Sequence, residues 1–170
     1  MNKPQPSEYH PFFNGYIQNV PGGNFVQLLE DNSNAVQSFF ISIDKDKADY
    51  SYEPGKWTIR QMILHMSDTE RVMSYRALTI ARGDFNATLS SMDQNLFAAH
   101  ANAGNRTVED LLDEFVVIRK ATVFLFSNIS EAQSVYKSKV LEHFITARAL
   151  GYIIIGHAIH HMNVVRQKYL

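Results

Sequence analysis

At 170 residues, with 45% hydrophobic and 19% charged side chains, the chain has the balance of one soluble globular domain that buries a sizeable core. Sixteen basic residues against seventeen acidic ones leave a formal charge of −1, which argues against nucleic acid or an anionic membrane surface as partner. There is no cysteine, so disulfides, thiolate ligands and a cysteine nucleophile are all excluded, and the seven histidines and the carboxylates become the strong ligands available to a transition metal.

Residues 1–21 read as an irregular N-terminal arm, because Pro4, Pro6, Pro11 and then Pro21-Gly22-Gly23 interrupt any regular period. The arm lacks the apolar stretch of a signal peptide, and no apolar run in the chain nears the roughly 18 residues that span a bilayer. A cytoplasmic protein without membrane contact is expected. From Asn24 to about Ile43, Phe25, Leu28, Leu29, Val36, Phe39 and Phe40 recur at helical spacing, although Asn32-Ser33-Asn34 weakens the middle. The stretch from Asp44 to Gly55 is polar and reads as a loop.

Thr58 with Gln61 three residues later is the capping-box pattern that opens a second helix, which runs to about Arg82 before Gly83 supplies a left-handed stop. Residues 84–104 are long, small and polar, and read as a functional or partly ordered crossover rather than a tight turn. Thr107 and Asp110 start a third helix whose apolar stripe, from Val108 to Phe126, continues to about Asn128. Within 129–145, the stretch Val135–Val140 alternates enough for a short strand, yet its lysines suit a solvated loop equally well. Thr146 caps a fourth helix that reaches nearly to the C-terminus, with Lys168 complementing its dipole. Four amphipathic helices without convincing strands predict an all-α, four-helix bundle, one domain over residues 1–170.

In the fourth helix, Leu150, Ile154, His157, His161, Val164 and Lys168 follow one buried seam, so two imidazoles replace apolar residues in it. Burying polar rings costs about 1–3 kcal/mol for each unsatisfied group, and a metal ion is one partner that removes the cost. An i, i+4 pair places both rings within reach of a common point, whereas His160 is turned about 60–100° away. HxxxH alone is a weak motif, and a third ligand is sought in His65, beside the apolar stripe of the second helix. Asp68, one turn after His65, is placed to accept a ring N–H and fix the metal-binding tautomer, although a salt bridge to Arg71 or Arg60 fits it as well. Glu70 and Arg71 read as ordinary helix-face charges. His10, His100 and His143 read as solvated, Trp57 as a packing residue, and Arg76 and Arg148 as surface arginines rather than substrate anchors.

Pro54-Gly55-Lys56-Trp57-Thr58-Ile59-Arg60, His65-Met66-Ser67-Asp68-Thr69-Glu70-Arg71 and Gly156-His157-Ala158-Ile159-His160-His161 together resemble the DinB/YfiT-like superfamily of metal-dependent hydrolases and thiol S-transferases. The resemblance runs from about Tyr52 to Tyr169 and takes in Tyr75-Arg76-Ala77, Ala81-Arg82-Gly83-Asp84 and Met92-Asp93-Gln94. It implies a bundle with three metal-binding histidines at the positions of His65, His157 and His161, which agrees with the reading of the residues. It also implies a divalent ion such as zinc or nickel, with a low-molecular-weight thiol as co-substrate. The expected activity is a metal-dependent transferase joining such a thiol to an electrophile. The alternatives are a hydrolase using metal-activated water and a non-catalytic, metal-stabilised binding or stress-response module. A homodimer is expected from the 12% aromatic content and the apolar faces of the first and third helices.

Overall fold

The computed structural model describes residues 1–170. Four long helices form the frame: α2 (Phe25–Ile41), α3 (Ile59–Ala81), α5 (Val108–Ser127) and α7 (Ala147–Lys168). Three short helices, α1 (Asn14–Gln18), α4 (Gln94–His100) and α6 (Glu131–Ser134), and one hairpin, β1 (Lys137–Val140) with β2 (His143–Thr146), complete the chain. Helix α7 packs on α2 and α3, and α5 packs on the same two helices, so each long helix has two neighbours and faces the fourth across the core. No helix is long and apolar enough to cross a membrane.

The long helices begin where local chemistry supplies a partner for their free amides. The Asn24 side chain accepts from the amides of Val26 and Gln27, and Thr107 accepts from that of Asp110. Thr58 and Gln61 close a reciprocal box, with Thr58 N–H donating to Gln61 Oε1 at 2.9 Å and Gln61 N–H donating to Thr58 Oγ1 at 3.2 Å. Thr146 caps α7, and Gly83 ends the turn after α3 with φ of 79°.

Residues 1–21 are more regular than the prolines suggest. Two 3₁₀ turns, Pro6–Glu8 and Pro11–Phe13, lead into α1, which packs along α7. Proline serves here as a turn starter, since its fixed φ suits the first position of a helical turn. The arm is fastened at Glu8, whose carboxylate accepts from Thr146 Oγ1 at 2.9 Å and from both Nε and Nη2 of Arg148. Arg148 is therefore a clamp on the arm rather than a free surface cation.

The arm also meets α7 at Gly156, where an added Cβ would stand 2.1 Å from the Tyr16 carbonyl oxygen. A backbone atom cannot swing aside as a side chain does. Gly156→Ala is therefore expected to destabilise by about 1–3 kcal/mol or more, lowering Tm by at least roughly 2–4 °C, and to lift Tyr16 off α7. Thermal melts read the stability and Tyr16 ring shifts read the contact; an unchanged melt would show that α1 is only loosely held.

Within the stretch 135–140, Lys137–Val140 forms a paired strand. Lys137, Ser138, Lys139 and Val140 pair antiparallel with Thr146, Ile145, Phe144 and His143, and Leu141 at the tip takes a left-handed φ of 54°. The lysine ammonium groups lie 5.4 and 5.5 Å from the Phe144 ring centre, which explains how a strand accommodates them. The bundle is thus the expected all-α, four-helix architecture with one short hairpin beside it.

Two apolar clusters fill the core. One holds Phe25, Leu29, Met73, Ile80, Phe126 and Ile153, and the other holds Phe40, Ile63, Met66, Leu111, Phe115 and Met162. They adjoin along α7 between Ile155 and Ala158, which is where His157 sits. Across the bundle, Arg119 is 1% exposed and forks onto Glu70, with Nε to Oε1 at 2.7 Å and Nη2 to Oε2 at 2.9 Å. Its Nη1 donates to Asn32 Oδ1 at 2.7 Å and to the Leu29 carbonyl at 3.0 Å. Glu70 is therefore an interior residue and not a helix-face charge, and the polar break in α2 is the acceptor for a buried arginine.

Candidate metal centre

His65 reaches the bundle interior from α3, and His157 and His161 reach it from α7. The α7 pair follows from spacing: four residues place both rings on one face, and that face meets α3. The Nε2 atom of His157 lies 3.1 Å from that of His65 and 2.9 Å from that of His161. One ring nitrogen from each residue falls within 4.8 Å of the other two. All three residues are buried, at 5–8% exposure. His160 is only half-buried, with its ring edge-on to His161 and Tyr16, as its position round the helix requires.

Nitrogens about 2.0–2.1 Å from one ion, at bond angles of roughly 90–110°, stand about 2.9–3.4 Å apart, so the two spacings from His157 suit a shared cation. Burial favours the neutral rings that such an ion needs. It pushes His65 down to about 4, and it holds His157 and His161 well below the usual histidine range, with neighbouring imidazoles adding to the effect.

The same burial sets a stability prediction. An unfolded chain binds protons on these rings below about pH 6.5, whereas the folded chain resists them down to about 4 at His65. The contribution to stability is present in full above 6.5 and is lost as pH falls through that window. Without metal, the protein is expected to lose up to about 1.4 kcal/mol per pH unit for each histidine involved. Urea titrations at pH 7.5, 6 and 5 in a chelator check this; stability flat over that range would contradict neutral burial.

Packing, rather than hydrogen bonding, orients the rings. Nδ1 of His65 and Nδ1 of His161 are buried with no partner. The Trp57 ring lies 4.5 Å from that of His65 and 6.4 Å from that of His161, and the Tyr16 ring sits edge-on to His157 at 5.6 Å. The tryptophan is anchored in turn, since its carbonyl accepts from the Tyr169 hydroxyl at 2.6 Å. The expected role for Asp68 does not appear. Its carboxylate accepts from Arg71 Nη1 at 3.1 Å, and burial beside Glu114 raises its pKa against the pull of Arg71. The reason is angular: three residues along a helix leave Asp68 about 60° from His65, toward α5, where Arg71 and Glu114 also pair.

A cavity of about 530 Å³ opens beside the histidines, bounded by the arm, α3, the segment 91–94, the hairpin and α7. His65 and His157 form part of its wall. So do residues that the sequence reading passed over: Thr69, whose Oγ1 lies 3.5 Å from His65 Nε2, and Tyr16. His143 and His100 are exposed, as expected, but the His143 ring meets that of the half-buried His10 at 4.2 Å on the same wall. Thr69 was legible in principle, being one turn beyond His65 on the same face. Tyr16 and His10 were not, because they arrive from the arm.

Residues 28–165 match the DinB superfamily. The chain belongs to that superfamily. Two proteins of Oceanobacillus iheyensis named as candidate metal-dependent hydrolases are similar to it. OB0782 is 28% identical over 51% of this chain and 49% of its own length, and OB0413 is 26% identical over 64% and 62%. The chain thus spans about half the length of the first relative and under two thirds of the second. Among solved structures, YfiT of Bacillus subtilis, described as a candidate metal-dependent hydrolase with an unusual four-helix bundle topology, superposes with a TM-score of 0.76 at 15% identity. That match covers 98% of this chain and 93% of YfiT. The DinB-like YjoA of the same organism gives 0.59 at 18% identity over 87% and 93%. At such identities the superpositions establish the superfamily fold, a four-helix bundle, and leave the chemistry to the site.

Proposed function

We propose that this DinB-superfamily chain is a metal-dependent enzyme. In this reading His65, His157 and His161 hold one divalent ion, zinc or nickel, and the adjoining cavity takes a small-molecule substrate. The observation that carries it is the convergence of three buried imidazoles, two of which, His65 and His157, form part of the wall of a cavity large enough for a ligand. A closed structural site would use a fourth protein ligand, and no other histidine, cysteine, aspartate or glutamate joins this cluster. An ion bound by three neutral nitrogens keeps its full charge and, when present, lowers the pKa of a thiol or of water at an open position.

The chain's own residues provide the setting for that step. Trp57 and Tyr16 hold the rings in place by contact, so the nitrogens stay aimed at one point. Apolar walls from Phe13, Leu150 and Ile153 limit water around the reacting groups. The Thr69 hydroxyl lies next to His65 Nε2, where it is placed to bond a group entering beside the histidines.

The first reading is transfer of a low-molecular-weight thiol to an electrophile. The second, which the names of the two relatives favour, is hydrolysis by activated water. The zinc-loaded protein distinguishes them when given bacillithiol with 1-chloro-2,4-dinitrobenzene, and separately p-nitrophenyl acetate, each with and without chelator. Chelator-sensitive thiol consumption is the expected result. Chelator-sensitive ester hydrolysis without thiol consumption would replace the first reading with the second, and neither activity would sink both.

A further inference from the structure

The bundle contains two arginines that are almost wholly buried, and they are treated differently. Arg119 makes four hydrogen bonds, to a carboxylate, a side-chain carbonyl and a backbone carbonyl around its guanidinium. Arg76 is 6% exposed and has no acidic partner. Its Nη2 donates to the Ser90 carbonyl at 2.5 Å, and its Nη1 reaches only the sulfur of Met73, a weak acceptor, at 3.5 Å. Three of its five N–H groups are left without a protein acceptor. A buried cation without a counter-charge is strongly unfavourable, so a bound anion would complete it.

Arg76 forms part of the cavity wall. The one acidic residue on that wall, Asp93, spends Oδ1 on the amides of Asn95 and Leu96 at the start of α4. The cavity therefore carries a fixed positive charge with no negative charge bonded to it, inside largely apolar walls. On α3, His65, Thr69, Met73 and Arg76 follow at intervals of four, four and three residues, which is one face of the helix. The rise places Arg76 about 16 Å along the axis from His65, and helical side chains lean toward the N-terminus, here toward the histidines.

We propose that Arg76 anchors a carboxylate on the small molecule that fills this cavity, holding its other end at the three histidines. The proposal rests on the cavity being the substrate site. A carboxylate suits the position because the guanidinium fork offers parallel N–H groups in the plane that two carboxylate oxygens share. The apolar walls then define the rest of the ligand as a chain or ring without further charge.

Hexanoate, hexanamide and hexylphosphonate are the probes, titrated calorimetrically into the zinc-loaded full chain and into its Arg76→Gln variant, with metal content measured on both. The wild type is expected to bind hexanoate about 10-fold or more tightly than hexanamide, and more tightly than the phosphonate, with the preference over the amide falling to near unity in the variant. Equal binding of acid and amide by the wild type would overturn the proposal. So would a preference for the phosphonate, or a preference for the acid that survives in Arg76→Gln and so belongs to the metal. Should the variant fail to fold, the wild-type Arg76 Nε–H resonance decides: it should shift with hexanoate and not with hexanamide, and the reverse refutes the anchor. Normal metal content without a carboxylate preference would remove the anchor and leave the metal centre standing. Loss of the centre with the preference intact would do the opposite.

Discussion

Alanine in place of His157 is expected to lower bound metal from about one equivalent per chain to less than about a tenth. This ring is the middle one, with its Nε2 3.1 Å from that of His65 and 2.9 Å from that of His161, so its removal breaks both short spacings together. Loss of even an outer contact around a metal ligand costs roughly 10–100-fold in affinity, and loss of a ligand itself costs more. The fold should survive, because the site lies between two apolar clusters that hold together without it. His160→Ala is the control: that ring lies off the seam and should leave metal content unchanged. Elemental analysis and circular dichroism on the three proteins check the expectation, and metal retained by a folded His157→Ala protein would contradict it.

The second large effect concerns stability. Glu70→Ala leaves Arg119 buried with only Asn32 and the Leu29 carbonyl as partners, and an uncompensated interior charge of this kind costs about 3–5 kcal/mol. For a chain of this length that corresponds to a fall in Tm of roughly 6–20 °C. The double variant Glu70→Leu with Arg119→Met should recover much of the loss, since it removes both charges and keeps apolar volume. Lys45→Gln, which breaks an exposed pair with Glu109, should leave the melting curve where it was. If Glu70→Ala melts like the wild type, the interior fork contributes no net stability.

How far the sequence carried these conclusions differs by element. The caps of α3, α5 and α7 were legible because capping is local: a threonine side chain meets an amide two or three residues away. The α7 histidines were legible for the same reason, since their spacing fixes a shared face. His65 needed one further assumption, that α3 and α7 are neighbours, and the resemblance to the superfamily pointed the same way. What escaped was everything set by distant contacts. Glu70 looks like any other helical glutamate until Arg119 arrives from α5 and Asn32 from α2. Turn counting sets Asp68 near His65 but does not see Arg71, which pairs with Asp68 and with Glu114 of α5. Arg76 reads as an ordinary surface arginine, because its burial depends on a distant contact, with the Ser90 carbonyl, that the helix pattern does not show. The arm reads as irregular because prolines break regular periods, although Pro6 and Pro11 each open a 3₁₀ turn.

The central claim is that three imidazoles share one ion. Diffraction from crystals of the protein purified with zinc, recorded on both sides of the zinc absorption edge, addresses it directly. A single anomalous peak is expected about 2.0–2.1 Å from Nε2 of each of His65, His157 and His161. A metal-loaded protein whose peak lies elsewhere, or touches fewer than three of these nitrogens, would contradict it.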